Sequence, residues 1–108
     1  MNCLEKNGLK IFLFLFLTFS YSITADTKKL LIFGDSISAG YGIKESENWV
    51  ALLADNLNKN SKINFILINS SVSGDTTSGG VSRIKKALEV HSPDYVLIEL
   101  GGNDALRG

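Results

Sequence analysis

An α/β domain built on a parallel sheet is the fold this sequence predicts, and three observations predict it. Three short apolar runs, rich in branched residues, punctuate the chain. Two segments with helical spacing lie between them. Each run leads into a polar loop that contains glycine. The order is therefore strand, helix, strand, helix, strand, which calls for right-handed crossovers.

The first run is Leu30-Leu31-Ile32-Phe33, closed by Gly34. Asn64 to Ile68 is the second and Tyr95 to Leu100 the third. Runs of this length, bounded by turn residues, fit strands buried on both faces. In the first helical segment, Trp49, Leu52, Leu53 and Leu57 fall on one stripe. Ser46 is its candidate N-cap, and Asn58-Lys59-Asn60 marks its end. In the second, Val81, Ile84 and Leu88 form the stripe, while Arg83, Lys85, Lys86 and Glu89 lie mostly off it. Ser92-Pro93 stops that helix. Both stripes read as core faces rather than binding surfaces.

The bulk composition narrows the function. With 108 residues there is room for one domain at most. Eleven Lys plus Arg balance eleven Asp plus Glu, and no basic patch stands out, so nucleic acid is not an expected partner. Cys3 is the only cysteine, so no internal disulfide can form. No Cys/His cluster suggests a metal, and no cofactor is implied.

Residues 1–25 read as a secretory signal peptide. Lys6 and Lys10 give a positive start, Ile11 to Phe19 an apolar core, and Ala25 a small residue for cleavage, with Ser22 a rival site. The apolar run is short for a membrane span, which needs about 20 residues. A periplasmic or secreted location follows, with no stable membrane insertion once the signal is removed. Residues 26–108 would then form the mature portion, which is small for a self-sufficient core.

The loops carry the chemistry. The first strand runs into Gly34-Asp35-Ser36-Ile37-Ser38, the second into Asn69-Ser70-Ser71-Val72-Ser73-Gly74-Asp75-Thr76, and the third into Gly101-Gly102-Asn103-Asp104. In a parallel sheet all three lie on one edge, where open α/β folds bind ligands. The resulting crevice holds hydroxyls, glycine N–H groups, an amide and carboxylates. Acyl transfer through a serine fits that set best. Gly34 would give the nucleophile's turn its backbone freedom. The N–H of Ser36, the N–H of Gly74 and the amide of Asn103 could serve a developing oxyanion. Any one loop alone reads as an ordinary turn or helix start. Their joint occurrence at successive strand ends argues for a site.

The stretch Phe33-Gly34-Asp35-Ser36-Ile37-Ser38-Ala39-Gly40-Tyr41-Gly42 resembles the first block of SGNH/GDSL-type hydrolases. Ser73-Gly74-Asp75-Thr76-Thr77 resembles the glycine block, and Gly101 to Gly108 the asparagine block. The similarity is greatest to the thioesterase, lysophospholipase and arylesterase type, and it covers nearly all of residues 28–108. It implies a three-layer α/β/α fold of SGNH/flavodoxin-like form, of which this would be the N-terminal βαβαβ part. It also implies Ser36 as nucleophile, an oxyanion hole of Ser36, Gly74 and Asn103, and a supporting role for Asp35. The implied substrates are small acyl esters, thioesters or lysophospholipids. Tyr41, Ile43 and Leu106 either border the cleft mouth or pack.

One block is missing. The resemblance implies an Asp-x-x-His that supplies the base and its orienting acid, and no such motif occurs here. His91, the only histidine, closes a crossover helix and so belongs at the opposite edge of the sheet, about 20 Å from Ser36. Proton transfer needs about 3 Å. The chain is therefore expected to be a fragment of a longer enzyme or a truncated product without normal turnover, to be inactive alone, and to fold poorly with a sheet edge uncovered. Two rivals remain. A phosphate-binding loop lacks both the Lys-Ser/Thr and the G-x-G-x-x-G pattern. A non-catalytic lipid- or carbohydrate-binding relative would keep the fold without an activated serine.

Overall fold

The computed structural model describes residues 22–107. The signal expected over residues 1–25 thus lies almost wholly outside the described residues. Ser22 to Ala25 are exposed and without regular structure.

Three parallel strands form one sheet: β1 (Thr27–Gly34), β2 (Asn64–Asn69) and β3 (Tyr95–Glu99), in the order β2-β1-β3. Four helices accompany them among the described residues: α1 (Ser36–Ala39), α2 (Trp49–Asn60), α3 (Thr77–His91) and α4 (Gly102–Arg107). A 3-10 turn at Glu45–Glu47 leads into α2. The α/β class and the alternation of elements are as the sequence predicts. The register sets Ile32 beside Asn69 and Gly34 beside Glu99. All three carboxyl ends therefore align, and the loops that follow them share one edge.

The core is centred on β1. Leu31, Ile32 and Phe33 are fully buried. Successive side chains on a strand point to opposite faces, so burial of all three means both faces of β1 are covered. A three-layer α/β/α arrangement requires this. Leu31 and Phe33 pack with Ala87 of α3, and Ile68, Ile84 and Leu100 close around them. Burying each such large side chain is worth about 1.5–3 kcal/mol. Helix α3 lies close to the sheet because Gly80 has no side chain; a Cβ there would come within 2.6 Å of Leu100.

Several details depart from the sequence reading, among them Leu52 of the α2 stripe, which is exposed while Val50 is buried. Only β1 is buried on both faces; β2 and β3 are the outer strands of the described sheet, with Ile66 and Ile98 exposed. The buried stripe of α3 runs through Gly80, Ile84 and Ala87, while Val81 and Leu88 are exposed. Val81 instead lines an open apolar hollow with Phe33, Ile98 and Leu100. The N-cap of α2 is Asn48, not Ser46, which sits inside the 3-10 turn. Finally, the segments starting at Ser36 and Gly102 are short helices rather than plain loops.

The choice of Asn48 has a physical reason. Its Oδ1 accepts from the Val50 N–H at 3.0 Å, and its Nδ2 donates to the Ser38 carbonyl at 3.1 Å. A buried amide can cap the helix and anchor a neighbouring turn at once, which a hydroxyl in the 3-10 turn cannot. Asn48→Ala should therefore lower stability by about 1–2 kcal/mol in urea denaturation, from loss of a cap and a buried partner. Ser46→Ala should stay within about 0.5 kcal/mol of the parent.

Candidate active site

The end of β1 turns directly into α1. Asp35 is the N-cap: it is 2% exposed, and its Oδ1 accepts from the Ile37 N–H at 2.9 Å. Ser36 thereby becomes the first residue of α1, half-buried at the crevice edge. At that position a backbone N–H has no partner within its own helix. Gly40 closes the turn in the left-handed conformation, with φ of 75°.

Gly34 is needed here for space rather than for backbone freedom. A Cβ on it would stand 2.8 Å from the Glu99 carbonyl, from Glu99 Oε2 and from Ser38 Oγ. Those two side chains form a lock. Ser38, fully buried, donates its hydroxyl to Glu99 Oε2 at 2.9 Å, and the Asp35 N–H approaches the same oxygen at 3.4 Å. One carboxylate oxygen at the end of β3 thus holds residues on both sides of Ser36. The Ser38 carbonyl is held in turn by Asn69 Nδ2 at 2.7 Å and by Asn48.

The segment after β2 continues alongside β1 in the same parallel sense. Ser70 and Val72 donate their N–H groups to the carbonyls of Ile32 and Gly34, at 2.8 and 2.9 Å. A turn then closes from the Asp75 N–H to the Val72 carbonyl. Gly74 is its third residue, with φ of 81°, a conformation that disfavours any side chain. Asp75 stands beside it with its carboxylate paired to Arg83 Nε at 2.7 Å.

Asn103, in the first turn of α4, joins these two loops. Its Nδ2 donates to the Asp75 carbonyl at 2.9 Å and to Asp35 Oδ2 at 3.3 Å. Asp35 precedes Ser36, and Asp75 follows Gly74. The four residues singled out in the sequence, Asp35, Ser36, Gly74 and Asn103, therefore gather at one place on the carboxyl edge. Arg107 adds a second tie from α4, donating to the Gly74 carbonyl at 2.9 Å.

Comparison with known proteins shows the family. The sequence model of the GDSL-like Lipase/Acylhydrolase family matches residues 32–108. The chain belongs to that family. It is 49% identical to an arylesterase of Vibrio mimicus over 82 residues, covering 76% of this chain and 40% of that protein. It is 47% identical to the thioesterase 1/protease 1/lysophospholipase L1 of Escherichia coli strain K12, covering 90% of this chain and 44% of the relative. The crystal structure of AlinE4, an SGNH-hydrolase family esterase, aligns with a TM-score of 0.72 at 44% identity, covering 79% of this chain and 46% of AlinE4. The chain thus spans about two-fifths of the length of the curated relatives it matches.

Other residues of this GDSL-family chain fall less neatly into the sequence reading. His91 ends α3, and its carbonyl accepts from Lys29 Nζ near the start of β1, so it does stand at the edge away from Ser36. Tyr41, Ile43 and Leu106 are exposed rather than packed, at 81%, 53% and 86%. Glu99 was missed, although the signal was present: a carboxylate inside an apolar strand needs a donor. In the sequence Arg83 only lies off the apolar stripe of α3, and no pattern there points to its partners.

Asp104 was not singled out either. It accepts from the Thr77 hydroxyl at 2.6 Å and the Thr77 N–H at 2.9 Å, which fastens α4 to the start of α3. The hydroxyl, then the N–H, hold its carboxyl below the usual carboxylate range. A lowered folded-state pKa contributes stability above the unfolded value and loses it as pH falls through the folded one. The stability gap between the parent and Asp104→Asn should therefore be widest near neutrality and shrink below about pH 4. Urea titrations across that range check it; a gap that widens with acid would contradict the assignment.

Proposed function

We propose that these residues are the nucleophile and oxyanion half of a serine ester hydrolase site in the whole protein. The observation that carries this is the position of the Asn103 amide, bonded to residues adjoining both Ser36 and Gly74. In this reading Ser36 Oγ attacks the carbonyl carbon of an ester or thioester while its proton passes to a base. The carbonyl electron pair moves onto oxygen. The N–H groups of Ser36 and Gly74 and the Asn103 amide receive that charge. Collapse expels the alcohol or thiol, which takes the proton back, and water then releases the acyl group from Ser36.

The longer of the two Asn103 bonds, to Asp35, is the one an oxyanion would exchange for. The shorter bond, to Asp75, would keep the amide aimed during reaction. Asp35 would act as support, capping α1 and parking the amide between turnovers. No Asp-x-x-His occurs in these 108 residues, and the chain spans about two-fifths of its relatives' length, so the proposed activity is that of the whole protein.

Acyl substrates with a hydrophobic group fit the exposed Ile37, Tyr41, Ile43, Val72 and Leu106 on the short helices and loops of the same edge. The signal-like residues 1–25 support a periplasmic or secreted enzyme. In the whole protein, a fluorophosphonate probe should label the parent and leave Ser36→Ala unlabelled. Asn103→Ala should keep the nucleophile but lower kcat on an aryl ester by about 10²–10³-fold. A parent that resists the probe while binding lipid or sugar would point to a non-catalytic relative.

A further inference from the structure

We infer that Arg83 is a positioning residue that fixes all three oxyanion donors from behind the crevice; this rests on the hydrolase reading above. Arg83 projects from α3 beneath the site with its side chain 25% exposed. Its Nε donates to Asp75 Oδ2 at 2.7 Å. Its Nη1 donates to the Ser70 carbonyl, and its Nη2 to the Gly34 carbonyl at 3.3 Å. The guanidinium carbon lies 3.8 Å from the centre of the Phe33 ring, which sets the plane of the fork.

The acceptors lie next to the segments that carry the proposed oxyanion donors. Gly34 is two residues before Ser36. Ser70 and Asp75 flank the turn that presents Gly74. The Asp75 carbonyl takes the short bond from Asn103. One rigid cation therefore references the ends of β1 and β2 and, through Asp75, the amide from α4. An arginine that only fastened its helix to the sheet could do so with a single strand. Here its three bonds reach three separate points around the crevice.

Lysine cannot replace this geometry. It keeps the charge, and can still pair with Asp75, but its single nitrogen cannot present a planar fork in three directions. The donors would then lose their common reference. A misplacement of about 1 Å can lower turnover about 100-fold.

The test uses the whole protein, with the parent, Arg83→Lys, Arg83→Met and Lys85→Ala as an exposed control on the same helix. Active-site titration with a fluorophosphonate counts competent sites, and aryl-ester kinetics give kcat per titrated site. Arg83→Lys should keep a full complement of sites and a KM within about threefold, while kcat per site falls about 10–100-fold. Arg83→Met should show the same or a larger loss per site, and Lys85→Ala none. A parental kcat per site in Arg83→Lys, or a fall only in the number of sites, would mean a structural role and overturn the inference. A parent that neither labels nor turns over would overturn the hydrolase reading itself, and this inference with it.

Discussion

The bond from Asn103 to the Asp75 carbonyl, 2.9 Å long, is the contact on which the site's arrangement depends. It crosses from α4, which follows β3, to the loop after β2. The same nitrogen reaches the carboxylate that caps α1 after β1. Three segments far apart in sequence are thereby fixed to one another by a single amide. Parallel pairing brings the strand ends to one edge, but it leaves loops free to splay; the amide removes that freedom. Its two donated bonds are each of ordinary strength, about 1 kcal/mol net, so rigidity comes from their number and direction.

Around that amide stands a shell of further bonds. Glu99 holds the turn of Ser36 from the β3 side through Ser38 and Asp35. Asn48 and Asn69 hold the far end of the same turn through the Ser38 carbonyl. Asp104 ties α4 to the start of α3. Helix α1, which begins at Ser36, is only four residues long and could not persist on its own. It is held by what surrounds it, and nearly every restraint comes from a different element. Preorganisation of this kind lets donors face a developing charge without reorganising when it forms.

How much was legible in the sequence follows from this division. Apolar runs and helical spacing were enough for the α/β class, the element order and the shared edge, because strand burial and periodicity are local signals. That Asp35, Ser36, Gly74 and Asn103 share one edge was legible because their segments follow successive parallel strands and resemble a known pattern. Ser46 was read as the cap of α2, since a serine before a helical stripe is the ordinary signal; Asn48 prevailed because it also bonds Ser38, a tertiary contact. Periodicity alone points to Val81 and Leu88, whereas the buried side of α3 runs through Gly80 and Ala87, and a small residue carries no apolar signal in the sequence. Arg83 was hidden for a related reason. Its partners are a carbonyl at each of two strand ends and a carboxylate beyond them, and no spacing rule connects them.

The account can be tested most directly on the whole protein by a crystal structure after reaction with a phosphonate ester. The phosphorus should be bonded to Ser36 Oγ. Its charged oxygen should lie about 2.7–3.1 Å from the Ser36 N–H nitrogen, the Gly74 N–H nitrogen and Asn103 Nδ2. Asn103 should have released Asp35 and retained Asp75. A phosphonyl oxygen turned away from Gly74 and Asn103, or a phosphorus attached elsewhere, would contradict it.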